Sequence, residues 1–149
     1  MFGYDDLRKV SNSMNEHNDC SVVAVAAFLK KPYEEVHAMF EKHGRKKGQG
    51  VFNYTIYEVL KAFGCLPVTD HFWEGSKMMN RIKARYPKAA QKCKNITTKH
   101  FSFFPEAFKE EGPMLVFVRG HVACFDGETL QDWSIKKPRR VLMVVKAGE

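Results

Sequence analysis

Cys20 is the residue whose type and position most favour covalent chemistry in this chain. It follows Asn18 and Asp19, either of which can cap a helix, and it precedes an apolar stretch at residues 21–29. A thiol in the first turn of a helix lies at the positive end of the helix dipole, which favours the nucleophilic thiolate. Backbone N–H groups at the same end can hold the oxyanion formed when a thiolate attacks a carbonyl group. The position predicts a nucleophile, with a small buried core residue as the alternative.

A histidine and an aspartate in the last third of the chain supply the base that such a thiol needs. Residues 120–133 contain Asp126-Gly127 between alternating apolar runs, a strong signal for a two-residue hairpin turn. With that turn, His121 lies directly opposite Asp132, with Cβ atoms roughly 5 Å apart. The carboxylate can then accept a hydrogen bond from one ring nitrogen, which leaves the other nitrogen as a general base.

The register of this hairpin has one alternative. A turn at Gly127-Glu128, with glycine leading, places His121 opposite Ser134 instead. We favour Asp126-Gly127 because that dipeptide is among the strongest short hairpin signals. Taken alone, this hairpin is explained more simply by a His121 that is hydrogen-bonded only for stability. The position of Cys20 is what favours a catalytic role for His121.

Three short motifs occur in order along the chain: Asn18-Asp19-Cys20 before an apolar helix, then Lys31-Pro32-Tyr33-Glu34-Glu35-Val36, and last Gly120-His121-Val122-Ala123 leading to Asp132-Trp133. Their combination resembles small members of the papain-like cysteine peptidase superfamily. The likeness is nearest to the bacteriocin-processing peptidase branch and to small phage-encoded relatives. It covers most of the chain from Asn18 to the final predicted strand, apart from the basic middle.

This resemblance implies a papain-like fold with an active-site cleft between a helical part and a sheet. It implies Cys20 as the nucleophile, His121 as the base and later the acid, and Asp132 as the group that orients His121.

Two positions depart from the family pattern. Many members carry a glutamine six residues before the cysteine to complete the oxyanion hole, and here that residue is Met14. Asn15 and Asn18 are therefore the candidates for an oxyanion-binding amide. The cysteine is commonly followed by glycine, whereas here it is followed by Ser21. These departures leave open a weak or specialised enzyme, or a pseudoenzyme that keeps the fold for binding.

The other cysteines, Cys65, Cys93 and Cys124, are widely scattered, with no Cys-x-x-Cys pair. His17 lies three residues before Cys20, but this segment supplies only two metal ligands. We expect no disulfide scaffold, no bound metal and no cofactor.

The apolar periodicity predicts helices in the first third of the chain. Residues 21–29 are apolar nearly all round, which indicates a helix buried in the centre of the domain. Residues 31–40 open with a proline and place apolar side chains on one face, and Gly44 ends that helix. Residues 54–63 form a third helix, capped by Asn53 and stopped by a glycine.

The period changes to two in the last third, which predicts strands at residues 114–118, 121–125, 129–133 and 140–146. Helices followed by meandering strands indicate an α+β domain, with the buried first helix packed on a small antiparallel sheet. Residues 66–100 carry no clear assignment beyond a short helix at 76–85, and another short helix is possible at 105–110. We therefore expect one domain over residues 1–149, with a helical part at about 18–110 and a sheet part at about 113–147.

Composition sets the remaining limits. The chain has 149 residues and a formal net charge of +7, which suits a single domain with a real core. No apolar run reaches the length of a membrane span, and no secretion signal opens the chain, so we expect a cytoplasmic protein, in the host cytoplasm if phage-encoded. Basic residues cluster at 81–100, 136–140 and Lys46-Lys47, a pattern that suits nucleic acid, an acidic protein or simple solubility.

Two classes of function follow. The first is a cysteine-dependent hydrolase that cleaves an amide or isopeptide bond in a protein or peptide, with acyl transfer to an amine as a variant that uses the same residues. The alternative is a catalytically weak or inactive papain-like phage protein that binds nucleic acid or an acidic host protein through its basic face.

Overall fold

The structure is a computed structural model, and it describes residues 3–72, 94–95, 112–118, 120–127, 130–131 and 141–147. Within these residues the chain forms helices in its N-terminal part and a sheet built mainly from its C-terminal part. This order confirms the predicted α+β class.

The helices of the described residues are each ten residues long: α1 (Tyr4–Ser13), α2 (Cys20–Leu29), α3 (Tyr33–Lys42) and α4 (Asn53–Ala62). The predictions for α2, α3 and α4 are confirmed to within one or two residues. Pro32 stands at the N-cap of α3 rather than inside it, and Asn53 is the first residue of α4 rather than its cap. Helix boundaries depend on the capping geometry, which periodicity does not determine.

Helix α1 was not predicted, and the helical part therefore begins well before residue 18. Its sequence is mostly polar, and among its residues only Leu7 and Ser11 are buried. Such a narrow buried stripe gives a weak periodic signal. The buried Ser11 owes its place to a polar partner just before the next helix, described below, rather than to an apolar face.

The described strands form one six-stranded sheet in the order β2-β1-β6-β3-β4-β5. Their bounds are β1 (Pro67–Phe72), β2 (Lys94–Asn95), β3 (Met114–Val118), β4 (His121–Phe125), β5 (Leu130–Gln131) and β6 (Val141–Ala147). The pair β1 and β2 is parallel, and the other neighbouring strands are antiparallel. The four strands predicted in the last third are thus present, and of the strand predicted at 129–133 the structure describes residues 130–131.

The predicted meander is wrong for the last strand. β6 lies between β1 and β3 instead of beside β5. β3 and β4 form a hairpin and β5 occupies the outer edge of β4, so that β6 pairs with the other edge of β3. The order along the chain therefore differs from the order across the sheet.

The segment left without assignment at 66–100 contributes β1 and β2. The predicted division into a helical part at 18–110 and a sheet part at 113–147 is therefore wrong in this region. The strand β1 was missed because its partner, β6, lies far away in the sequence. The short helices predicted at 76–85 and 105–110 lie outside the described residues.

Helix α2 is the centre of the core, as its apolar sequence predicted. It contacts β4 and β3 on one side and α1, α3 and α4 on the other. Because it is enclosed on both sides, its residues from Ser21 to Ala26 are all buried. The described core also includes Phe40, Tyr57 and Phe117, none of which is accessible to solvent. Close packing on both sides fixes the axis of α2, and with it the position of Cys20, relative to β4.

None of the helices in the described ranges combines the length and apolar character that a membrane crossing requires.

Candidate functional site

A pocket of about 330 Å³ opens where the N-terminus of α2 meets the start of β4. Its wall comes from three parts of the chain: the start of α2, the segment that leads into α4, and the hairpin of β3 and β4. The residues that line it are Cys20, Ser21, Gly50, Val51, Phe52, Tyr54, Ile56, Val118, Gly120, His121 and Val122.

Cys20 is the first residue of α2 and is half-buried in this pocket. The first backbone bond of the helix runs from Val23 N to Asp19 O, at 3.1 Å. The N–H groups of the residues before Val23 therefore have no acceptor within the helix. The pocket thus combines a thiol with the electropositive end of a buried helix, as the sequence predicted.

His121 is the first residue of β4 and is also half-buried. It pairs across the hairpin with Val118 of β3, and both residues line the pocket. Because α2 packs on β4, the first residues of the two elements line one pocket. Cys20 and His121, which are a hundred residues apart in the sequence, therefore share a cavity, and a direct contact between their side chains stays a prediction.

The favoured register of the next hairpin is wrong for the residues described. Cys124 pairs with Gln131 and Phe125 pairs with Leu130, the pairing expected from the Gly127-Glu128 turn. A type I′ turn at Asp126-Gly127 needs positive φ at both residues. Gly127 has a φ of +105°, but the φ of Asp126 is not positive.

Asp132 itself lies outside the described residues. The direct pairing of His121 with Asp132 depended on the register that the structure does not have. The role of Asp132 as the group that orients His121 stays a prediction.

The two asparagines proposed for the oxyanion hole do not line this pocket. Asn15 and Asn18 are both exposed, with φ values of 54° and 53°. Asparagine tolerates this left-handed conformation, and the two residues turn the chain between α1 and α2. The Asn18 side-chain amide donates to Gly48 O at 2.9 Å, so this donor already has an acceptor in the loop before α4. The structure therefore does not support an oxyanion-binding role for Asn15 or Asn18.

Ser21 is a pocket residue that the sequence analysis did not select. It follows Cys20 in α2 and is only 3 % exposed, and its hydroxyl group has no hydrogen-bond partner among the described residues. Buried hydroxyl groups nearly always have a partner, so an exception beside a candidate nucleophile requires an explanation. The sequence signal was the departure from glycine at this position.

Two buried carboxylates hold the segment that leads into Cys20. The first, Asp19, is 2 % exposed. It accepts hydrogen bonds from Ser11 Oγ at 2.6 Å, from the Tyr33 hydroxyl at 2.8 Å and from Arg8 Nη1 at 3.0 Å. Burial and the bond to Asp19 raise the pKa of Tyr33 above its usual range. Asp19 therefore joins α1, α2 and α3. It is the N-cap residue of α2, but its side chain does not make the capping hydrogen bond that was predicted.

The second carboxylate, Glu16, is 4 % exposed. Arg45 donates to both of its oxygens, at 2.8 and 3.1 Å, and Gly48 N donates at 2.8 Å. His37 Nε2 lies 2.6 Å from Glu16 Oε2. Burial alone raises the pKa of a carboxyl group, but these bonds outweigh it and hold the pKa of Glu16 well below its usual range. The sequence gave no local signal for this cluster, because its members come from distant parts of the chain.

The Glu16 cluster joins the segment before Cys20 to the loop that continues into the pocket wall. Arg45 and Gly48 belong to the loop between α3 and α4, and that loop continues into Gly50, Val51 and Phe52 of the pocket wall. Glu16 accepts hydrogen bonds from the backbone of this loop, at Gly48, and from its buried arginine, Arg45. These bonds hold this part of the pocket wall at a set distance from α2.

The other two described cysteines, Cys65 and Cys124, do not line the pocket. Cys124 is buried in β4, and burial together with the charge of Asp126 raises its pKa to about 12. Burial also raises the pKa of Cys65, which is not part of the pocket. Cys93 lies outside the described residues. Among the residues that the structure describes, no group of three or more His, Cys, Asp or Glu side chains is placed to hold a metal ion.

Comparison of the chain with protein-family models, with curated proteins and with solved structures finds no match. The function must therefore be argued from the pocket itself. A thiol and an imidazole share a partly enclosed space whose other walls are largely apolar, and these are the groups that nucleophilic acyl chemistry requires.

Proposed function

We propose that this protein is a cysteine-dependent hydrolase that cleaves an amide or isopeptide bond in a protein or peptide. The observation that carries the proposal is the shared pocket: Cys20, at the N-terminus of the central helix, and His121, at the start of β4, line the same cavity of about 330 Å³. A papain-like fold is part of the proposal, and the packing of the nucleophile helix on a mainly antiparallel sheet supports it.

In the proposed reaction His121 takes the proton of the Cys20 thiol, and the sulfur attacks the carbonyl carbon of the substrate. The tetrahedral intermediate collapses when His121 returns the proton to the leaving amine, which leaves a thioester on Cys20. Water, deprotonated by His121, then hydrolyses the thioester and restores the thiol. Asp132 is proposed to orient the ring of His121 in both steps.

The pocket wall supports a preference for an apolar side chain next to the scissile bond. Val51, Ile56, Val118 and Val122 line it. Phe52, which is 61 % exposed, stacks on Tyr54 with ring centroids 5.3 Å apart and an angle of 11° between the planes. An apolar side chain of a peptide gains free energy when it is buried against such a wall, whereas a charged one loses hydration.

The test is covalent labelling by peptide vinyl sulfones, which react with nucleophilic thiols. We expect one equivalent of label on Cys20, located by mass spectrometry, and faster labelling by a probe with leucine beside the electrophile than by one with glutamate. His121→Ala is expected to slow the labelling about 100-fold, the usual effect of a general base.

Cys65→Ala is the matched control, because Cys65 is a second half-buried thiol that does not line the pocket. Its labelling rate should equal that of the unsubstituted protein, while Cys20→Ala should give no label and an unchanged melting temperature. Equal labelling of Cys20→Ala and the unsubstituted protein would contradict the proposal.

A further inference from the structure

Both backbone hydrogen-bonding groups of Gly48, in the loop between α3 and α4, are bound by the segment that leads into Cys20. The Gly48 N–H donates to Glu16 Oε1 at 2.8 Å, and the Gly48 carbonyl oxygen accepts from the Asn18 side-chain amide at 2.9 Å. The ring of His17 lies against the same glycine, where a Cβ would come within 2.8 Å of the ring Nε2. Three consecutive side chains therefore contact one glycine, and we call this arrangement the Gly48 clamp.

The clamp adjoins the part of this loop that lines the pocket. Gly50, Val51 and Phe52 belong to the pocket wall and follow Gly48 directly after one intervening residue. Within the part of the chain that the structure describes, no hydrogen bond holds Gly50 or Val51. At the far end, Phe52 O accepts a hydrogen bond from Thr55 N at 3.0 Å, in the first turn of α4. The wall segment is thus fixed at its two ends, and the clamp is one of them.

From this connection we infer that Glu16 and Asn18 are positioning residues, which place the pocket wall through Gly48. The wall in turn gives Cys20 its selectivity for an apolar side chain of the substrate. The inference rests on the proposed function, because it assigns the selectivity of the same site. Glu16 is the stronger holder, since it is buried and paired with Arg45, whereas the bond from Asn18 is exposed. Asn18 is therefore the residue whose removal tests the clamp while the fold is kept.

The experiment separates binding at the wall from the reactivity of the thiol. Peptide vinyl sulfones with leucine or glutamate beside the electrophile are long enough to contact the wall. Their labelling of Cys20 over a concentration series, followed by mass spectrometry, gives the half-saturating concentration KI and the maximal rate kinact. Iodoacetamide is too small to depend on the wall, so its rate of alkylation of Cys20 measures the thiol alone. A residue that positions the wall changes KI and the preference for leucine, and it leaves the alkylation rate unchanged.

Asn18→Gly removes the amide and supplies a residue that readily adopts the φ of 53° at this position. We expect KI for the leucine probe to rise about fivefold, which corresponds to one hydrogen bond, and the preference for leucine over glutamate to fall. The value of kinact and the alkylation rate should stay within about twofold. Asn15→Gly is the matched control, because Asn15 is exposed, has a φ of 54° and lies outside the clamp. It should change none of these values.

Gly48→Ala disturbs the clamp from the side of the loop. A side chain at the φ of +75° is strained, and the ring of His17 must move to admit the Cβ. We expect KI for the leucine probe to rise about tenfold, the order of one apolar contact in a binding pocket. Gly44→Ala is the matched control, because it brings the same kind of strain to this loop, at a φ of +100°, with nothing within 4 Å of the added Cβ. The double variant Asn18→Gly/Gly48→Ala should match Gly48→Ala alone, because both substitutions act on one contact.

Each outcome has a distinct meaning, once cooperative thermal unfolding has shown that every variant is folded at the assay temperature. A KI that is unchanged in both Asn18→Gly and Gly48→Ala would overturn the inference. An equal loss of labelling and of alkylation would also overturn it, because the clamp would then act on the thiol. Equal effects of Gly44→Ala and Gly48→Ala would do the same, because strain anywhere in the loop would then suffice. If neither vinyl sulfone labels Cys20 of the unsubstituted protein, the proposed function itself fails, and the inference fails with it.

Discussion

At the scale of single residues, the three described thiols differ in burial or in their position relative to the pocket. Cys20 opens into the pocket, Cys65 is half-buried outside it, and Cys124 is buried in β4. The thiolate is the reactive form, and an apolar surrounding disfavours it. The position of a cysteine relative to the pocket therefore decides whether it can act.

We predict that iodoacetamide at pH 8 alkylates Cys20 before Cys65 and leaves Cys124 unmodified. Burial raises the pKa of Cys65, and burial with the charge of Asp126 raises that of Cys124 to about 12. Because a raised thiol pKa moves the thiolate to higher pH, Cys124 should become reactive only as the pH approaches 12 or the chain unfolds. Peptide mapping after timed quenching in a Cys93→Ser background measures the order.

The unfolded chain in urea is the control for this order, because all thiols should then react at similar rates. Alkylation of Cys124 ahead of Cys20 in the folded protein would contradict both the burial of Cys124 and the opening of Cys20 to the pocket.

At the scale of elements, the segment between α1 and α2 is held by its two buried carboxylates. Asp19 ties it to α1 and α3, and Glu16 ties it to the loop before α4. Glu16 and Asp19 fix the chain within four residues just before α2. Cys20, the first residue of α2, therefore has little freedom to move relative to the pocket wall. Such local order is what a reaction at a fixed distance requires.

We predict that Glu16→Gln lowers the free energy of unfolding at pH 7 by about 3 kcal/mol, because the buried guanidinium group of Arg45 then has no carboxylate. Urea denaturation followed by circular dichroism measures the change. Glu34→Gln is the matched control, since Glu34 is exposed on α3 and its substitution should change stability by less than about 0.5 kcal/mol.

The difference in the free energy of unfolding between the unsubstituted protein and Glu16→Gln depends on pH. The pKa of Glu16 in the folded protein lies well below the ordinary value of 4.5, so its ionised form stabilises the fold above that pH. As the pH falls below 4.5, the unfolded chain binds the proton first, and the advantage over Glu16→Gln should shrink by about 1.4 kcal/mol for each pH unit. A constant difference between pH 7 and pH 3 would show that Glu16 is not held ionised by its partners.

Some helices and strands could be predicted from the sequence, and others could not. The helix α2 and the strands β3, β4 and β6 were predicted because their periodicity is carried by the buried side chains within each element. Helix α1 was missed because its buried polar residue, Ser11, is held by Asp19 rather than by an apolar stripe. The register between β4 and β5 was missed because the backbone angles at Asp126 and Gly127 decide it, and the turn with the stronger sequence signal is not the one that the pairing fits.

At the scale of the whole molecule, the formal net charge of +7 favours association with polyanions. The described part of the basic surface includes Lys46 and Lys47, both exposed on the loop before α4. The clusters at 81–100 and 136–140 lie outside the described residues, apart from 94–95. A binding function and a hydrolase function can coexist, because a basic surface near the pocket also recruits acidic substrates.

We predict that a duplex DNA oligonucleotide binds the chain with an affinity that falls steeply as the salt concentration rises, and that Cys20→Ala binds equally well. Removing both Lys46 and Lys47 should reduce the slope of log affinity against log salt by about 2, if each neutralises one phosphate. Fluorescence anisotropy over a salt series measures the slope.

A double variant at Lys9 and Lys61, which are exposed on α1 and α4, removes the same charge as the control. Equal slopes for the two double variants would show that net charge alone, and not the loop before α4, determines binding. Affinity that does not change with salt would contradict a polyanion-binding surface.

The sequence by itself determined the class of the fold, the central helix and the identity of Cys20 and His121 as residues worth testing. These follow from local rules, because a capped apolar helix and alternating strands are specified by neighbouring residues. Only the tertiary structure decided that the two residues line one pocket, that β6 inserts between β1 and β3, and that the Asn18 amide binds Gly48. It also revealed the Glu16 cluster and the unpaired hydroxyl group of Ser21. Each of these depends on partners far apart in the chain, whose meeting is fixed by packing and by the pairing of buried polar groups rather than by any local pattern.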